Sequence, residues 1–563
     1  MQSLPKHLQK YVVEQNYEKY TPLDQAVWRY VLRQLKDFLS KNAHASYLEG
    51  LEKTGIDIEQ IPRIENVSAH LEKFGWRAVP VSGFIPPAAF MELQSLSVLP
   101  IASDMRSIDH LLYTPAPDIV HEAAGHAPII ANVEYSNYLK QYAQVAKKAI
   151  LSKQDLQQYQ AIRELSDIKE NPSSTPEQIL LAEEKLKAVM AETQFISEAA
   201  ELSRMNWWTA EYGLVGDINN AKIFGAGLLS SVGESKWCLS DKVKKIPLTL
   251  ECVKQAYDIT EPQPQLFVAR DFNDLGQVLD ELAQTMAYRK GGVIGLNKAI
   301  QAETVNTVQF ENGFQVSGVL KKYLTASNQS IAYVQFEGPT QICFSDIEIT
   351  GHDAKYHQHG YGTPVGSIKK FNVTELKIKD VNELHYESGV KVTGRLDKIK
   401  KISETAMILT FSQASCEFNQ EKLFLPEWGL YDVILVNEVT SVFGGPADRA
   451  AYGEVDDFIA ARVQAPQYTE QQKKLFSDYQ KVRSLRENKN STLGDFKELF
   501  LKLSQASSPE WLLFVELLEI GYHKNYDAGF LKLIEFHLTT LMKKNKETQS
   551  LIVEGLRLAH AKH

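Results

Sequence analysis

The sequence is poor in cysteine and in long apolar runs. Its 563 residues include only four cysteines, Cys238, Cys252, Cys343 and Cys416, which are widely separated and form no Cys-x-x-Cys pair. This spacing disfavours a disulfide framework or a structural zinc site and fits a reducing cytoplasm. No stretch approaches the ~18 consecutive apolar residues of a membrane-spanning helix. We therefore expect a cytoplasmic protein without a membrane partner.

The sequence also lacks an excess of positive charge and a secretory leader. A net charge of −9 and a pI near 5.9 argue against nucleic acid or an anionic membrane as a partner. The first residues, Met1 to Lys6, lead into charged sequence rather than a signal peptide. The 44% hydrophobic and 23% charged content is that of a globular protein, and 563 residues exceed one ordinary core.

Three regions differ in the periodicity of their apolar residues. The apolar residues of 1–300 recur mainly with helical spacing. This spacing predicts, among other helices, one over 22–55. Residues 301–450 change to a period of two and predict a small β barrel or sandwich, with a type I′ hairpin turn at Asn312-Gly313. Residues 451–563 predict a C-terminal helical domain. Further strands of the β-rich region are predicted near 331–338, 342–350, 373–379, 389–396 and 405–413.

The most informative segment is Pro117-Asp-Ile-Val-His-Glu-Ala-Ala-Gly-His-Ala-Pro128, which sets His121 and His126 five residues apart. In a regular helix such a pair diverges by about 140°, but a widened π-type turn brings both rings to one side. Gly125 makes that distortion cheaper. Paired imidazoles bind iron, zinc or copper, whereas the alternative is two core histidines satisfied by hydrogen bonds. Zinc hydrolases place their histidines four residues apart, so that alternative is disfavoured.

Three motifs together resemble one family. The run above, the segment Trp207-Trp-Thr-Ala-Glu-Tyr-Gly-Leu214, and the segment Phe224-Gly-Ala-Gly-Leu-Leu-Ser-Ser-Val-Gly-Glu234 are similar to those of the pterin-dependent aromatic amino acid hydroxylases. The resemblance implies the mainly α catalytic domain of that family. It also implies Fe²⁺ bound by His121, His126 and Glu211, tetrahydrobiopterin or a related tetrahydropterin as cofactor, and O₂ as co-substrate.

The resemblance also assigns residues to the amino-acid substrate. Arg106 matches the arginine that binds the substrate carboxylate, for which the planar guanidinium fork is suited. Trp207 matches the wall of the ring pocket, and Thr114 and Ser230 match residues near the zwitterion. Ser230 also matches a serine that supports the first histidine, and Asp118 is the second candidate for that outer-shell contact.

A further set of residues is assigned to the pterin. Phe90 matches the aromatic residue that stacks on the ring, and Gly83, Phe84 and Ile85 match the loop whose backbone contacts it. Glu122 matches the acid that faces the pterin, and with Ser230 it is the candidate for a catalytic role.

Substrate choice is less tightly defined by the sequence. Trp207 and the apolar Ile259 favour phenylalanine, and the short N-terminal region resembles the bacterial phenylalanine hydroxylases. Asn206, Tyr212 and Ala116 depart from common family residues. A tryptophan or broad-specificity hydroxylase is therefore the alternative.

Two regions have no counterpart in the resemblance. Residues 147–201, rich in Gln, Glu and Lys, predict a helical hairpin of helices 153–169 and 176–201 inserted into the catalytic domain. The C-terminal half is a candidate ligand-sensing or assembly module. Within it His352, His357 and His359 are either metal ligands or, as we favour from the sequence, part of a solvated loop. We assign no role to the turn-rich segment 443–449. The sequence does not indicate an oligomeric state.

Overall fold

The computed structural model describes residues 4–82, 85–111, 117–170, 174–192, 195–259, 261–453, 468–488, 490–506 and 509–561. Among these residues, no helix combines the length and apolarity that crossing a bilayer requires.

The first 302 residues are mainly helical. Their α-helices are α1 Lys6–Gln9, α2 Pro22–Asn42, α3 Ser46–Lys53, α4 Ile64–Leu71, α5 Pro87–Ser95, α6 Ala127–Ile130, α7 Val133–Ala146, α8 Lys153–Glu170, α9 Pro176–Glu192, α10 Glu198–Asn206, α11 Ala226–Ser230, α12 Val232–Cys238, α13 Phe272–Ala283, α14 Ala287–Lys290 and α15 Gly292–Ala302. Two π-helices occupy Val120–His126 and Trp207–Glu211. Short 3₁₀ turns lie at Tyr17–Lys19, Glu72–Phe74, Ile108–His110 and Leu250–Lys254.

Two small sheets complete this part. Strands β1 (Arg77–Val81) and β2 (Val98–Ala102) form a parallel pair. Strands β3 (Leu214–Val215), β4 (Lys222–Ile223), β5 (Lys244–Pro247) and β6 (Gln265–Ala269) form a sheet in the order β4-β3-β6-β5.

The predicted helix over 22–55 is two helices. Thr21 and Asp24 form a capping box at the start of α2, with Pro22 in its first turn, so this end follows the sequence signals closely. The helix ends because Ala43 is extended and pairs with Ile223 of β4. Helix α3 then begins at Ser46.

The predicted helical hairpin is present as α8 and α9, which pack through a small buried cluster of their own: Ala161, Leu165, Ala182 and Leu186. Its second helix is shorter than predicted and ends at Glu192. Ser197 accepts a hydrogen bond from the Ala200 amide and thereby starts the separate helix α10.

The β-rich part consists of two antiparallel sheets. The first contains β7 Val305–Phe310, β8 Phe314–Thr325, β9 Ile331–Phe344, β10 Ile347–Glu348, β11 Gly360–Pro364 and β17 Val439–Gly444, in the order β10-β9-β8-β7-β17 with β11 also on β9. The second contains β12 Val381–His385, β13 Lys391–Lys401, β14 Met407–Phe418, β15 Glu421–Phe424 and β16 Tyr431–Ile434, in the order β12-β13-β14-β15 with β16 also on β14.

Three details of this region differ from the prediction. The hairpin at Asn312-Gly313 is present, but only Gly313 (φ 92°) has the positive φ that both central residues of a type I′ turn need. The run predicted as a strand at 373–379 instead begins with the 3₁₀ turn Val373–Glu375, which Asn372 caps. The two runs near 331–338 and 342–350 are joined, because β9 continues through 344 while pairing with β8 across three register shifts.

The C-terminal part is helical: α16 Arg449–Tyr452, α17 Glu470–Glu487, α18 Leu493–Ser504, α19 Trp511–His523, α20 Ala528–Lys544 and α21 Gln549–His560. Residues 511–521 of α19 are all buried, so this helix is central rather than merely amphipathic. It shares one hydrophobic cluster with α2, and the Tyr30 hydroxyl of α2 donates to the Leu551 carbonyl of α21 at 2.5 Å. The C-terminal helices therefore pack on the same core as the iron-ligand segments.

Candidate iron and pterin site

Two histidines and one glutamate converge on a single point. His121, His126 and Glu211 each offer a ligand atom, and these atoms lie within 4.8 Å of one another. One oxygen of Glu211 is 3.3 Å from His121 Nε2 and the other is 3.3 Å from His126 Nε2. The two imidazole planes stand at 88° with centroids 5.0 Å apart, so both nitrogen lone pairs face the same space.

The π-helix Val120–His126 explains how histidines five residues apart reach one side. The predicted widening of this turn is confirmed. Tyr47 of α3 holds the widened turn by donating to the Ala124 carbonyl at 3.0 Å. Gly125 has a packing role that the sequence did not reveal: a Cβ there would stand 2.6 Å from the Ala226 carbonyl oxygen of α11.

Glu211 ends the second π-helix, Trp207–Glu211. The Tyr212 amide donates to the Trp207 carbonyl at 2.8 Å, which is the i+5 bond that widens this turn. The backbone of Gly225, before α11, lies against Glu211, since a Cβ on Gly225 would meet the Glu211 carbonyl oxygen at 2.4 Å. Helix α11 thus packs between the two ligand segments. Burial opposes ionisation of Glu211, but the imidazoles of His126 and His121 hold its pKa well below the usual value.

Ser230 sets the tautomer of His121. Its hydroxyl donates to the Ala226 carbonyl at 2.7 Å, so its oxygen accepts from His121 Nδ1, 3.1 Å away. His121 Nε2 is then the unprotonated nitrogen and faces Glu211. His126 Nδ1 is buried and has no hydrogen-bond partner among the residues that the structure describes.

Asp118, the other candidate for this outer-shell contact, has a different partner. Its carboxylate accepts from Arg106 Nε and Nη2, both at 2.7 Å, and from the His121 amide at 3.0 Å. Burial raises the pKa of Asp118, but Arg106 outweighs this and lowers it. Asp118 therefore positions the backbone of His121 and the guanidinium of Arg106 rather than an imidazole ring.

Arg106 is almost fully buried beside the histidines. Besides Asp118, it donates from Nη1 to the Ser230 carbonyl at 3.1 Å. A guanidinium has five N–H groups, and these three bonds leave one hydrogen on each terminal nitrogen. The described residues thus hold the Arg106 guanidinium rigidly but leave two of its hydrogens available for another acceptor.

Trp207 is one ring of a three-ring stack. It lies between Tyr257, with centroids 4.3 Å apart at 8°, and Tyr212, at 4.4 Å and 24°. The Tyr257 hydroxyl is 2.9 Å from the Ser203 hydroxyl. Tyr257 was missed in the sequence, because nothing local distinguishes it from a core aromatic residue. The stack therefore fixes the orientation of the Trp207 ring. Tyr257 itself lies two residues before Ile259 in the chain.

The residues assigned to the pterin are only partly described. Ile85 is buried and Phe90 half-buried in one small cluster with β1 and α5. Glu122 is buried, and its Oε2 has no hydrogen-bond partner in the described part of the chain. Burial raises the pKa of Glu122 to about 8, with Glu211 acting in the same direction and His126 against it. Gly83, Phe84, Thr114 and Ala116 lie outside the described residues.

The part of the chain that forms this site is similar in sequence to known proteins. A model described as biopterin-dependent aromatic amino acid hydroxylase matches residues 9–162 and 182–306. A phenylalanine-4-hydroxylase of Mesorhizobium japonicum is 30% identical over 269 residues, which are 47% of this chain and 81% of that protein. The chain belongs to the biopterin-dependent aromatic amino acid hydroxylases.

Other relatives delimit the part of the chain that the family covers. The Pseudomonas aeruginosa phenylalanine-4-hydroxylase is 29% identical over 46% of this chain and 84% of its own length. The Bos taurus enzyme is 30% identical over 48% of this chain, and the chain spans only 51% of that protein. A solved structure of the Chromobacterium violaceum enzyme with bound iron(III) and 7,8-dihydrobiopterin is 22% identical, covering 51% of this chain and 94% of that chain. The TM-score between the two structures is 0.38.

The gap in the family model falls on the hairpin. Residues 163–181 are unmatched and span the end of α8 and the start of α9. The family match also stops at 306, just after β7 begins. The hydroxylase family therefore accounts for the first half of the chain, while the β-rich and C-terminal parts are additional.

Proposed function

We propose that the chain is a non-haem iron monooxygenase that hydroxylates the ring of L-phenylalanine to L-tyrosine with O₂ and a tetrahydropterin. The observation that carries the proposal is the convergence of Glu211 on the Nε2 atoms of His121 and His126. The names of the relatives, all phenylalanine-4-hydroxylases, support the choice of substrate.

The three side chains fit iron by their chemistry and arrangement. Two imidazole nitrogens and one carboxylate on one side of an ion are the ligand set of Fe²⁺ oxygenases, which leaves the opposite positions open. Bound iron and reduced pterin would supply the activation of dioxygen that ring hydroxylation requires. Ser230 keeps the proton of His121 on Nδ1, so Nε2 stays available as a ligand.

For the amino acid, we propose that the remaining hydrogens of Arg106 bind the substrate carboxylate, with Thr114 and Ser230 beside the zwitterion. Asp118 holds the guanidinium in one orientation, so little conformational entropy is lost on binding. Trp207, held between two tyrosines, would form the wall of the ring pocket, and Ile259 would add an apolar surface.

For the pterin, we propose that Phe90 stacks on the ring and that the backbone of Gly83, Phe84 and Ile85 contacts its edge. Glu122 offers a buried carboxyl oxygen without a hydrogen bond in the described residues, suited to a polar group of the pterin. Glu122 and Ser230 are thus the proposed groups that support chemistry without binding the metal.

The decisive experiment reconstitutes the full chain with Fe²⁺ without air, then adds tetrahydropterin, air and an equimolar mixture of phenylalanine, tyrosine and tryptophan. We expect tyrosine as the main product, identified by mass spectrometry with ¹⁸O₂ as the oxygen source. His121→Ala should lose bound iron and turnover, while His70→Ala, on the surface of α4, should retain both. Hydroxytryptophan as an equal product would favour the broad-specificity alternative. Tyrosine formation by His121→Ala would refute the iron site.

We further propose three units: a catalytic unit of residues 1–300, a β barrel or sandwich of 301–450, and a helical unit of 451–563. The change from helices to two sheets and back to helices supports these boundaries. We also propose a cytoplasmic location. Its support is that all four cysteines are free and buried, and that burial raises the pKa of each thiol to about 12.

A further inference from the structure

Two histidines and an aspartate meet in the β-rich part of the chain. His352 and His357 lie between β10 and β11, and Asp432 lies on β16. One ligand atom of each falls within 4.8 Å of the other two. The sequence favoured a solvated loop for His352, His357 and His359, because no complete ligand set with matching spacing appears in that segment. The structure brings the first two histidines to Asp432 and leaves His359 exposed.

The spacing of these atoms fits ligands of one metal ion. His352 Nδ1 is 3.4 Å from His357 Nε2, a distance that also fits a long hydrogen bond between the two rings, and 3.8 Å from Asp432 Oδ2. Zinc bonds of about 2.0–2.1 Å in a tetrahedral arrangement place neighbouring ligand atoms about 3.4 Å apart. A hydrogen bond between an imidazole and a carboxylate is shorter, about 2.7–3.2 Å, so the 3.8 Å contact is not one.

The buried carboxylate of Asp432 makes fewer hydrogen bonds than its two oxygens can accept. Its Oδ1 accepts from the Thr410 hydroxyl at 2.6 Å. Its Oδ2 is buried and accepts no hydrogen bond of normal geometry from the described residues, so the Tyr356 hydroxyl, which interacts with this carboxylate, satisfies it only in part. Asp432 is only 3% exposed. A buried carboxylate oxygen that is only partly satisfied is costly, and a cation held at this point would offset that cost.

The loop that carries the two imidazoles is held in place. The carbonyls of His352 and His357 accept from the amides of Ile342 (3.0 Å) and Thr340 (3.2 Å), which fastens the loop to β9.

The surroundings are nearly balanced in charge. Lys400 and Lys398 act on His352 as nearby cations, and Asp353 acts as a second nearby anion. Tyr356 covers the imidazoles, with its ring 4.7 Å from that of His357. Its hydroxyl interacts with the Asp432 carboxylate.

The geometry points to a second metal site, formed by His352, His357 and Asp432, for Zn²⁺ or another divalent first-row transition ion. Two imidazole nitrogens and one carboxylate oxygen suit such ions and leave at least one position open. The histidines lie on the loop between β10 and β11 of the first sheet, and Asp432 lies on β16 of the second, so the ion would connect the two sheets. This site is independent of the proposed hydroxylase function.

The test uses the full-length chain with the iron site disabled by His121→Ala. After removal of metals with a chelator and dialysis against Zn²⁺, we expect about one equivalent of bound zinc by elemental analysis. Adding His357→Ala should reduce this at least about tenfold, whereas adding His359→Ala, two residues away and exposed, should not. Asp432→Asn should also reduce it, and circular dichroism would verify that each variant is folded.

Thermal melting provides a second readout that does not depend on activity. Zn²⁺ should raise the Tm of the His121→Ala chain and leave that of the His121→Ala/His357→Ala chain unchanged. Co²⁺ in place of Zn²⁺ should give an absorption band that disappears with the same substitution. Absence of bound zinc in the folded His121→Ala chain, or zinc binding that survives His357→Ala, would overturn the proposal.

Discussion

At the scale of single residues, Ser230 controls which nitrogen of His121 is available. We predict that Ser230→Ala lowers iron affinity about 10–100-fold, because Nδ1 loses the acceptor that fixes its proton. Iron titration with equilibrium dialysis would measure this. The control is Ser235→Ala, a buried serine of α12 whose hydroxyl donates only to the Val232 carbonyl. Equal iron affinity in the two variants would show that the Ser230 contact does not position the ring.

Arg106 tests the substrate contact in the same way. A lysine cannot reproduce the fork that Arg106 directs at Asp118, nor present two parallel N–H groups to a carboxylate. We predict that Arg106→Lys raises the KM for the amino acid about 10–100-fold, with a smaller effect on kcat. Steady-state kinetics would show the split, with surface Arg63→Lys as control. An unchanged KM would mean that the substrate carboxylate is held elsewhere.

The residue scale also shows what the sequence can and cannot predict. The spacing showed that a widened turn would bring His121 and His126 to one side, because both belong to one local segment, and the family resemblance decided between a metal site and two core histidines. Glu211 lies 85 residues beyond His126, and it was found through resemblance to a family and not through periodicity. Asp432 had neither signal, since its approach to His352 depends on how two sheets meet. The sequence can therefore predict the geometry within one segment, but its pattern does not predict which residues of distant segments come together.

At the scale of elements, the site depends on how closely the π-helix Val120–His126 packs on α11. We predict that Gly125→Ala lowers both the Tm and iron affinity, because its Cβ would stand 2.6 Å from the Ala226 carbonyl oxygen. Overpacking of this kind costs about 1–3 kcal/mol. Calorimetry and iron titration would measure the two effects together.

The matched control is Gly276→Ala in α13. There the nearest atom to an added Cβ is the Gln141 side-chain oxygen at 3.2 Å, which can move away. Alanine also favours a helix over glycine by up to about 1 kcal/mol, so we expect an unchanged or higher Tm. A Gly125→Ala variant as stable as this control would contradict the role of close packing in the site.

At the scale of the whole molecule, the C-terminal helices are tied to α2 by buried charges. Arg29 donates to both carboxylate oxygens of Glu516 on α19, and Arg33 pairs with Glu519. Arg486 of α17 contacts both glutamates, at 3.2 and 3.0 Å. The sequence predicted a helical domain over 451–563, but not that α19 packs against a helix almost 490 residues earlier. The boundary at residue 451 therefore marks a change in sequence pattern. It does not divide the hydrophobic core, which extends across it.

Glu516 provides the test of this connection. The arginines hold the pKa of Glu516 below its ordinary value of 4.5, although burial acts the other way. Its stabilising contribution is thus complete above that ordinary value and is lost as the pH falls through the lower folded-state pKa. We predict that Glu516→Ala destabilises the chain by about 3–5 kcal/mol at pH 7, because Arg29 is left buried and unpaired. The Tm should fall by about 2–4 °C by calorimetry, because the shift per kcal/mol decreases with the size of the unit that unfolds.

The pH dependence separates this charge effect from lost packing. The difference in Tm between the wild type and Glu516→Ala should narrow below pH 4.5, because the Glu516 carboxylate takes up protons in the unfolded state there while it stays ionised in the folded state. Glu498→Ala, at an exposed position of α18, should change the Tm by less than about 1 °C. If Glu516→Ala were as stable as Glu498→Ala, the buried charges would not hold the C-terminal helices to α2, and the shared apolar cluster alone would account for their packing.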